Sequence, residues 1–373
     1  MTATANRRLR APKRGELRRY RPSDRPALEA FQQATFGPDA RQLDPAHTHW
    51  LYEENPWREA EGPQLWVYEY EGAIVGQQGG IPFRLKAGGL ELSASWGVEL
   101  MVAPEWRLRG VGPALSEAHA AASDVTLGLG MSEAAYKAYR TAGWIDLGLV
   151  PTYCRVLEAR RCARALAVRG PLLPLAAALA TPALDLAGFL CDTGARLFGT
   201  RLVPIPAFDE AVDDLWATVS PHQPVLARRD ARTLSWRFDA RNADRYRRFY
   251  LMHRGVVKGY AVLRVDRWEA EPIGVVIDYL ARPEWLLPML AHLTRLARRE
   301  GLVALLCRTL NEPADRVFKA LGFLQFRQGH RTPTRAMARL GENARDAAEL
   351  IGDRRNWLIT AGDSDTGLRE LGS

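Results

Sequence analysis

The sequence predicts a mixed α/β (α+β) protein built as two copies of one fold. Three observations carry that expectation. Strand and helix signals alternate through the first half of the chain, a set of landmarks recurs 179 residues further on, and 373 residues suffice for two domains of ordinary size.

The elements follow in order. Glu16–Tyr20 reads as a short strand, and a helix opens near Ser23-Asp24 with Pro26 in its first turn. A second helical stretch surrounds His47–Glu54 and stops at Pro56. Leu65–Tyr70 and Ala73–Gly80 form a hairpin turning at Glu71-Gly72, because glycine accepts the left-handed backbone such turns need. Two further strands cover Leu90–Ala94 and Trp96–Val102. A glycine loop follows, then a helix (Pro113–Ser123), a strand (Val125–Leu129), a helix (Ser132–Ala142) and a last strand near Val150–Leu157.

The repeat is read from landmarks at one shift. Val98–Trp106 aligns with Ile277–Trp285; Ser132 falls on Asn311, Tyr139 on Phe318, and Gly143-Trp144 on Gly322-Phe323. Glu71–Gly76 resembles Arg254–Gly259 at a slightly different offset. The divisions expected are a basic tail (1–15), a first domain (16–158), an apolar helical linker (159–204), a second domain (205–335) and a C-terminal helix and tail (336–373).

Composition narrows the function. The formal charge of +8 first suggests nucleic acid, but arginine is spread along the chain and no nucleic-acid-binding signature accompanies it. No nucleic-acid partner is therefore expected. Four cysteines without a C-x-x-C pair argue against zinc and disulfides and fit a reducing cytosol. The N-terminus lacks the apolar run of a secretory signal. The uncharged stretch Gly170–Leu184 is broken by Pro171, Pro174 and Pro182, so it reads as buried linker helices. With Arg160, Arg161, Arg164 and Arg169 upstream, residues 160–190 also suit peripheral contact with an anionic membrane face.

The motif that carries chemistry is Arg107-Leu108-Arg109-Gly110-Val111-Gly112, set between a predicted strand and a predicted helix. Glycines let backbone N–H groups approach a ligand, and the helix start adds unpaired donors and a positive dipole end. Pyrophosphate uses both. A dinucleotide fingerprint would need G-x-G-x-x-G and an acidic residue about 20 positions on, and a Walker loop would need Gly-Lys-Ser/Thr; neither follows Gly112.

In this context the chain resembles the GNAT acyltransferase superfamily, whose signature is strand, Q/R-x-x-G-x-G/A loop, helix, strand, helix. Val98–Gly112 follows that pattern, and Ser132–Trp144 follows its N-x-x-A-x-x-x-Y-x-x-x-G-F ending with Ser for Asn and Trp for Phe. The resemblance covers residues 16–157, and 205–330 as a degenerate second copy. It implies tandem domains, each a mixed, mostly antiparallel twisted sheet flanked by helices. It implies acetyl-CoA, or another acyl-CoA, as co-substrate without a metal, and a small-molecule amine as acceptor in the cytoplasm. Backbone groups of Leu100, Met101 and Val102 would hold the pantetheine arm, and Arg107–Gly112 the pyrophosphate, with charge from Arg107 and Arg109. Ser132 stands at a cofactor-contact position where the family carries Asn.

Tyr139 sits where these enzymes carry the general acid for the departing thiolate; a phenol of ordinary pKa ≈ 10 suits that leaving group. The plainer reading is an aromatic packed on the sheet. Tyr136 is a weaker candidate of the same type. Glu99 fits a base for the attacking amine, or equally a structural carboxylate. His119 reads as an exposed or packing residue, and His47 and His49 lack the third ligand a metal site would need. No Cys or Ser stands in a setting for a covalent intermediate.

In the second copy, Leu286–Leu290 replaces the glycine loop and Phe318 replaces Tyr139, so cofactor binding is expected to be lost. Asp278 answers Glu99 and is a candidate contact to the acceptor, as is Trp50. Ala338–Ile351 reads as helix-like, and Trp357–Asp365 as a strand ending in an acidic turn. Trp50–Pro56, Trp236-Arg237-Phe238 and the closing Trp357–Asp365 resemble GNAT-like proteins of bacterial polysaccharide assembly, which leans towards an amino sugar or sugar nucleotide. A non-catalytic acyl-CoA sensor and a membrane-surface acyltransferase for long-chain donors are the alternatives.

Overall fold

The computed structural model describes residues 15–165, 199–268, 270–326 and 334–368, with isolated positions between 186 and 197. The basic tail before residue 15 and the apolar stretch 170–184 lie outside the described residues. The fold is mixed α/β with mostly antiparallel pairing. Two compact units emerge: Met1–Leu85 with Glu91–Leu147 and Arg335–Ala348, and Lys86–Leu90 with Gly148–Thr334 and Glu349–Ser373.

In the first unit, β1 (Glu16–Arg19), β2 (Leu65–Tyr70), β3 (Ala73–Ala87) and β4 (Leu90–Val102) lie side by side. The β2–β3 hairpin turns through Glu71 and Gly72 at φ 49° and 79°, the left-handed pair that matches the strand twist. β4 is one strand where two were expected. It then runs parallel to β5 (Val125–Leu129), and β5 pairs antiparallel with β15 (Arg335–Leu340), which is flanked in turn by β6 (Ile145–Leu149). Helices α1 (Arg25–Phe36), α2 (Pro45–Tyr52), α3 (Val111–Ala120) and α4 (Glu133–Thr141) complete the unit. Trp96, Leu115, Val125 and Leu127 are at most 2% exposed; each such side chain contributes roughly 1.5–3 kcal/mol of burial.

In the second unit, β7 (Thr152–Val156) leads to α5 (Ala159–Ala165) and β8 (Thr200–Ile205). After α6 (Ala211–Val219), β9 (Val225–Ala227) and α7 (Ala231–Phe238) come β10 (Arg247–His253), β11 (Val256–Trp268) and β12 (Glu271–Ala281). These last three pair antiparallel in sequence, with β8 on the outer edge of β10. Helix α8 (Pro283–Arg299) returns the chain to β13 (Ala304–Leu310), which is parallel to β12, and α9 (Asp315–Ala320) leads to β14 (Leu324–Phe326). After α10 (Ala348–Gly352), β16 (Trp357–Thr360) pairs with the end of β13 and with β9. Val262, Leu263, Val276, Ile277, Met289 and Leu290 form the heart of its core.

The compact units do not follow the contiguous ranges expected from the sequence. β7 pairs with both β13 and β14 in the second unit, whereas β15 holds the equivalent place beside β5 and β6 in the first. Each sheet is thus completed by a strand from the other half of the chain. The helix expected from Ala338 starts instead at Ala348. Ala336, Met337 and Ala338 are fully buried in the sheet, so packing overrides the helical preference of that stretch.

Candidate active site

The central feature of the first unit is where the parallel β4–β5 ladder stops. It covers four pairs, from Ala94↔Val125 to Gly97↔Gly128, while β4 continues five residues to Val102. Beyond Gly97 the pairing stops, because β5 itself ends at Leu129. Leu100, Met101 and Val102 occupy that extension and are half-buried. Glu99 breaks the extension with φ 57°, a left-handed conformation rare outside glycine.

The chain then forms the turn anticipated from the sequence. Leu108 and Gly110 are left-handed at φ 60° and 87°, a geometry in which successive N–H groups face one concavity. Helix α3 starts at Val111, so Pro113 is its third residue rather than its first. The first intrahelical bond runs from Ala114 N–H to Gly110 O at 3.1 Å, so the N–H groups of Val111 and Gly112 precede the ladder of α3. A methyl group on Gly112 would stand 3.6 Å from Val102 Cγ2, so the turn packs on the end of β4. Arg107 is exposed and donates through Nε to Val102 O at 3.1 Å. Arg109 is exposed and stacks over Trp106, 5.5 Å from the ring centroid. Backbone donors, a helix start and two exposed guanidinium groups thus fall within one six-residue segment.

Tyr139, on α4, borders the same ladder end. Its ring edge lies 3.3 Å from where a side chain on Gly128 would begin, and Gly128 is the last β5 residue paired with β4. Burial pushes the phenol above its ordinary value, and the Ser116 hydroxyl of α3 acts in the opposite sense. Tyr136 is engaged elsewhere: its hydroxyl donates to Asp146 Oδ2 at 2.7 Å, beneath the Arg335 guanidinium. Ser132 is exposed and caps α4, accepting from Ala135 N–H at 3.2 Å. Its oxygen is thus used in starting the helix.

Glu99 faces a different space. A cavity of about 170 Å³ is lined by Glu99, by Gln32 of α1, by Thr48 and Tyr52 of α2, and by Tyr20 and Glu53. Arg25 is the one Lys or Arg among its lining residues, and its guanidinium is paired with Glu29 at 2.7 Å. Glu99 and Tyr139 therefore flank the end of the β4–β5 ladder, one two residues beyond Gly97 and the other over Gly128.

Other expected contacts lie elsewhere. Trp50 is 2% exposed and belongs to the core, so it presents no surface to an acceptor. Asp278 is 3% exposed within the second unit. It accepts from Tyr260 Oη at 2.6 Å, Thr360 Oγ1 at 2.7 Å and Arg229 Nε at 3.3 Å, which makes it a structural carboxylate. Asp363, at the acidic turn, pairs with the same Arg229 at 2.8 Å. His119 is buried, 2.8 Å from Ser95 Oγ, and desolvation pulls its imidazole down to about 3, so it is neutral. Sequence reasoning missed Gln32, Gln77, Gln78 and Tyr52. The signal available was Gln77-Gln78 within the uncharged run Ala73–Phe83 of β3.

The second unit departs from this geometry at each point. Its parallel ladder runs from Ile273↔Ala304 to Val276↔Cys307. The counterpart of the glycine turn, Leu286–Leu290, lies inside α8, with Leu286, Met289 and Leu290 buried. Beyond the ladder end, Thr309 and Leu310 pair with Thr360 and Ile359 of β16, and Gly362 N–H donates to Ile277 O at 2.8 Å. The space between β12 and β13 holds the protein's own chain.

No family model matches the sequence, and no curated protein does. Solved structures do. A GCN5-related N-acetyltransferase from Anabaena variabilis is 12% identical over 88% of this chain and 73% of its own, with a TM-score of 0.56. One from Kribbella flavida is 14% identical over 87% of this chain and 72% of its own, at 0.57. The N-myristoyltransferase of Saccharomyces cerevisiae, solved with bound myristoyl-CoA, is 10% identical over 87% and 82%, at 0.53. The chain has the fold of the GCN5-related N-acetyltransferases.

Proposed function

We propose that the first unit is an acyl-CoA-dependent N-acyltransferase that transfers an acetyl group to a small amine. One observation carries this reading: the β4–β5 ladder ends at Gly97↔Gly128, with Glu99 two residues beyond it on β4, Tyr139 over Gly128 and the glycine turn packed on Val102. An extended pantetheine arm adds to the freed edge of β4 as a further strand would. The diphosphate takes the N–H groups of Val111 and Gly112 with Arg107 and Arg109.

The reaction is direct. The amine nitrogen attacks the thioester carbonyl carbon, and the ammonium proton passes to Glu99, directly or through water. The C–S bond breaks, and the departing thiolate takes the Tyr139 proton. The cavity beside Glu99 suits the acceptor. Its hydroxyl, amide and carboxylate groups suit the hydroxyls and amine of an amino sugar. That choice agrees with the resemblance to polysaccharide-assembly proteins in Trp50–Pro56 and Trp357–Asp365.

The two units are read as copies of one fold. The ladders stand 179 residues apart pair for pair. Arg254 and Gly255 turn with φ 49° and 80°, as Glu71 and Gly72 do, and Gly322 repeats the left-handed Gly143. In the second copy Phe318 has no proton to give.

The deciding experiment is calorimetric titration with acetyl-CoA, followed by CoA release over a panel of amines. Saturable binding with turnover is expected. Binding without turnover on any amine favours a sensor, and no binding removes the reading. Gly110→Asp is expected to abolish binding by straining the turn and adding a negative charge at the anion site.

A further inference from the structure

Four described non-glycine residues have positive φ. Glu71 and Arg254 occupy hairpin turns and Leu108 the glycine loop, where such conformations are usual. Glu99 alone lies inside a strand. A left-handed residue there costs free energy and persists only where its surroundings enforce it.

The enforcement comes from side-chain amides. Gln78 Nε2 donates to Val98 O at 2.8 Å, and Gln77 Nε2 donates to Glu99 O at 3.4 Å. Gln32 Nε2 in turn donates to Gln77 Oε1 at 3.2 Å, which fixes the Gln77 amide with its NH2 towards β4. All three are nearly sealed from solvent, at 6% (Gln32), 0% (Gln77) and 1% (Gln78) exposed. Burying amide donors in a sheet core is unfavourable unless they bond, and here the NH2 groups of Gln77 and Gln78 bond to the carbonyls on either side of the Glu99 kink, Gln78 also donating to Gly79 O at 2.8 Å. Gln77 and Gln78 are consecutive on β3, so they reach β4 from opposite faces of the sheet. Gln32 also lines the cavity shared with Glu99.

We infer that Gln77 and Gln78 are positioning residues: they clamp the Val98 and Glu99 carbonyls, hold Glu99 left-handed, and so set both its carboxylate in the acceptor cavity and the backbone of Leu100–Val102 beyond the end of the ladder. Gln32 orients the clamp from the acceptor side. The catalytic consequence rests on the acyltransferase reading; the structural one does not.

The test combines Gln77→Met, which keeps volume and removes the amide, with Glu99→Gly, which removes the conformational cost. Thermal stability of the full-length protein is measured for each single variant and for the double. Gln77→Met is expected to lower the midpoint when Glu99 is intact and to cost clearly less in combination with Glu99→Gly. An equal loss in both backgrounds would make the amides ordinary core groups and overturn the clamp. For kinetics, Gln77→Met is expected to lower kcat about tenfold or more while acyl-CoA affinity stays within about twofold, since small misplacements of a reacting group are costly. An unchanged kcat overturns the positioning role. Should Gln77→Met not fold, Gln32→Met on α1 carries the same kinetic test without touching the sheet. Wild-type protein inert towards every amine would remove the acyltransferase reading, while the stability comparison would still decide the clamp.

Discussion

The phenol ring of Tyr139 lies flat on the indole of Trp144, with centroids 4.2 Å apart and planes inclined by 7°. Trp144 thus covers one face of the ring while its edge abuts Gly128 of β5. Tyr139→Phe keeps that packing and removes the proton, so it is expected to lower kcat about 100-fold with acyl-CoA affinity unchanged. Trp144→Ala should lower the rate less, by loosening the ring. Burial holds the phenol protonated beyond its ordinary range near 10, and the acid must be protonated to act. The rate should therefore not fall below pH 10 through loss of this proton. A descending limb at pH 7–9 that vanishes in Tyr139→Phe would sink the assignment.

His119 predicts an acid limb of stability. Its ordinary value is 6.5 and its folded value about 3, because burial against Trp66 and Ser95 disfavours the cation. The unfolded chain takes up a proton below 6.5 that the folded protein refuses. Its contribution is thus complete above 6.5 and is lost as pH falls towards 3, by up to about 1.4 kcal/mol per pH unit. Urea midpoints between pH 7 and 4 should fall more steeply for wild type than for His119→Gln. Parallel profiles would show that the imidazole is not sealed as described.

Much of this was legible because short-range chemistry fixes it. The Glu71-Gly72 hairpin, β5 and the Gly110 turn follow from residues that accept few other backbone conformations. Strand exchange was not legible. Nothing local in Arg335–Leu340 says that its partner is β5 rather than the strand it follows, and its Arg, Ala, Met and Leu residues suit a helix as well. The Glu99 kink was hidden for a similar reason. Glutamate has no preference for φ 57°, so the conformation is imposed by amides from β3 twenty residues earlier. Asp278 shows the converse error: its alignment with Glu99 is sound, but what surrounds it is Arg229, Tyr260 and Thr360.

That cluster gives a stability prediction. Arg229 serves two carboxylates, Asp278 and Asp363, whose side chains are only 4% and 6% exposed. Arg229→Leu strands both and is expected to cost about 3–5 kcal/mol. Burial raises the Asp363 carboxyl, while Arg229 opposes that rise. Without the arginine the raised value climbs further, so stability present below the ordinary carboxyl range is lost as pH rises. The Arg229→Leu deficit should accordingly shrink between pH 7 and 4 in denaturant titrations. A deficit independent of pH would mean that the carboxylates find other partners.

The last prediction concerns how many acyl-CoA molecules one chain takes. In the first unit, β4 runs on past Gly97↔Gly128, and the pantetheine arm is proposed to follow its edge. At the same point of the second unit, Thr309 and Leu310 bond to Thr360 and Ile359, and Gly362 reaches Ile277. That peptide satisfies backbone groups a pantetheine amide would otherwise meet, and the Arg229–Asp363 pair anchors it. Displacing it would break backbone bonds and uncover a buried ion pair, a cost that acyl-CoA is not expected to recover where α8 replaces the glycine turn. Calorimetry should therefore give one acyl-CoA per chain, and none for Gly110→Asp. Amide exchange at Thr360 and Gly362 should remain slow with saturating acyl-CoA. A second equivalent of ligand, accompanied by faster exchange there, would show that the closing strand yields and that the second unit binds as well.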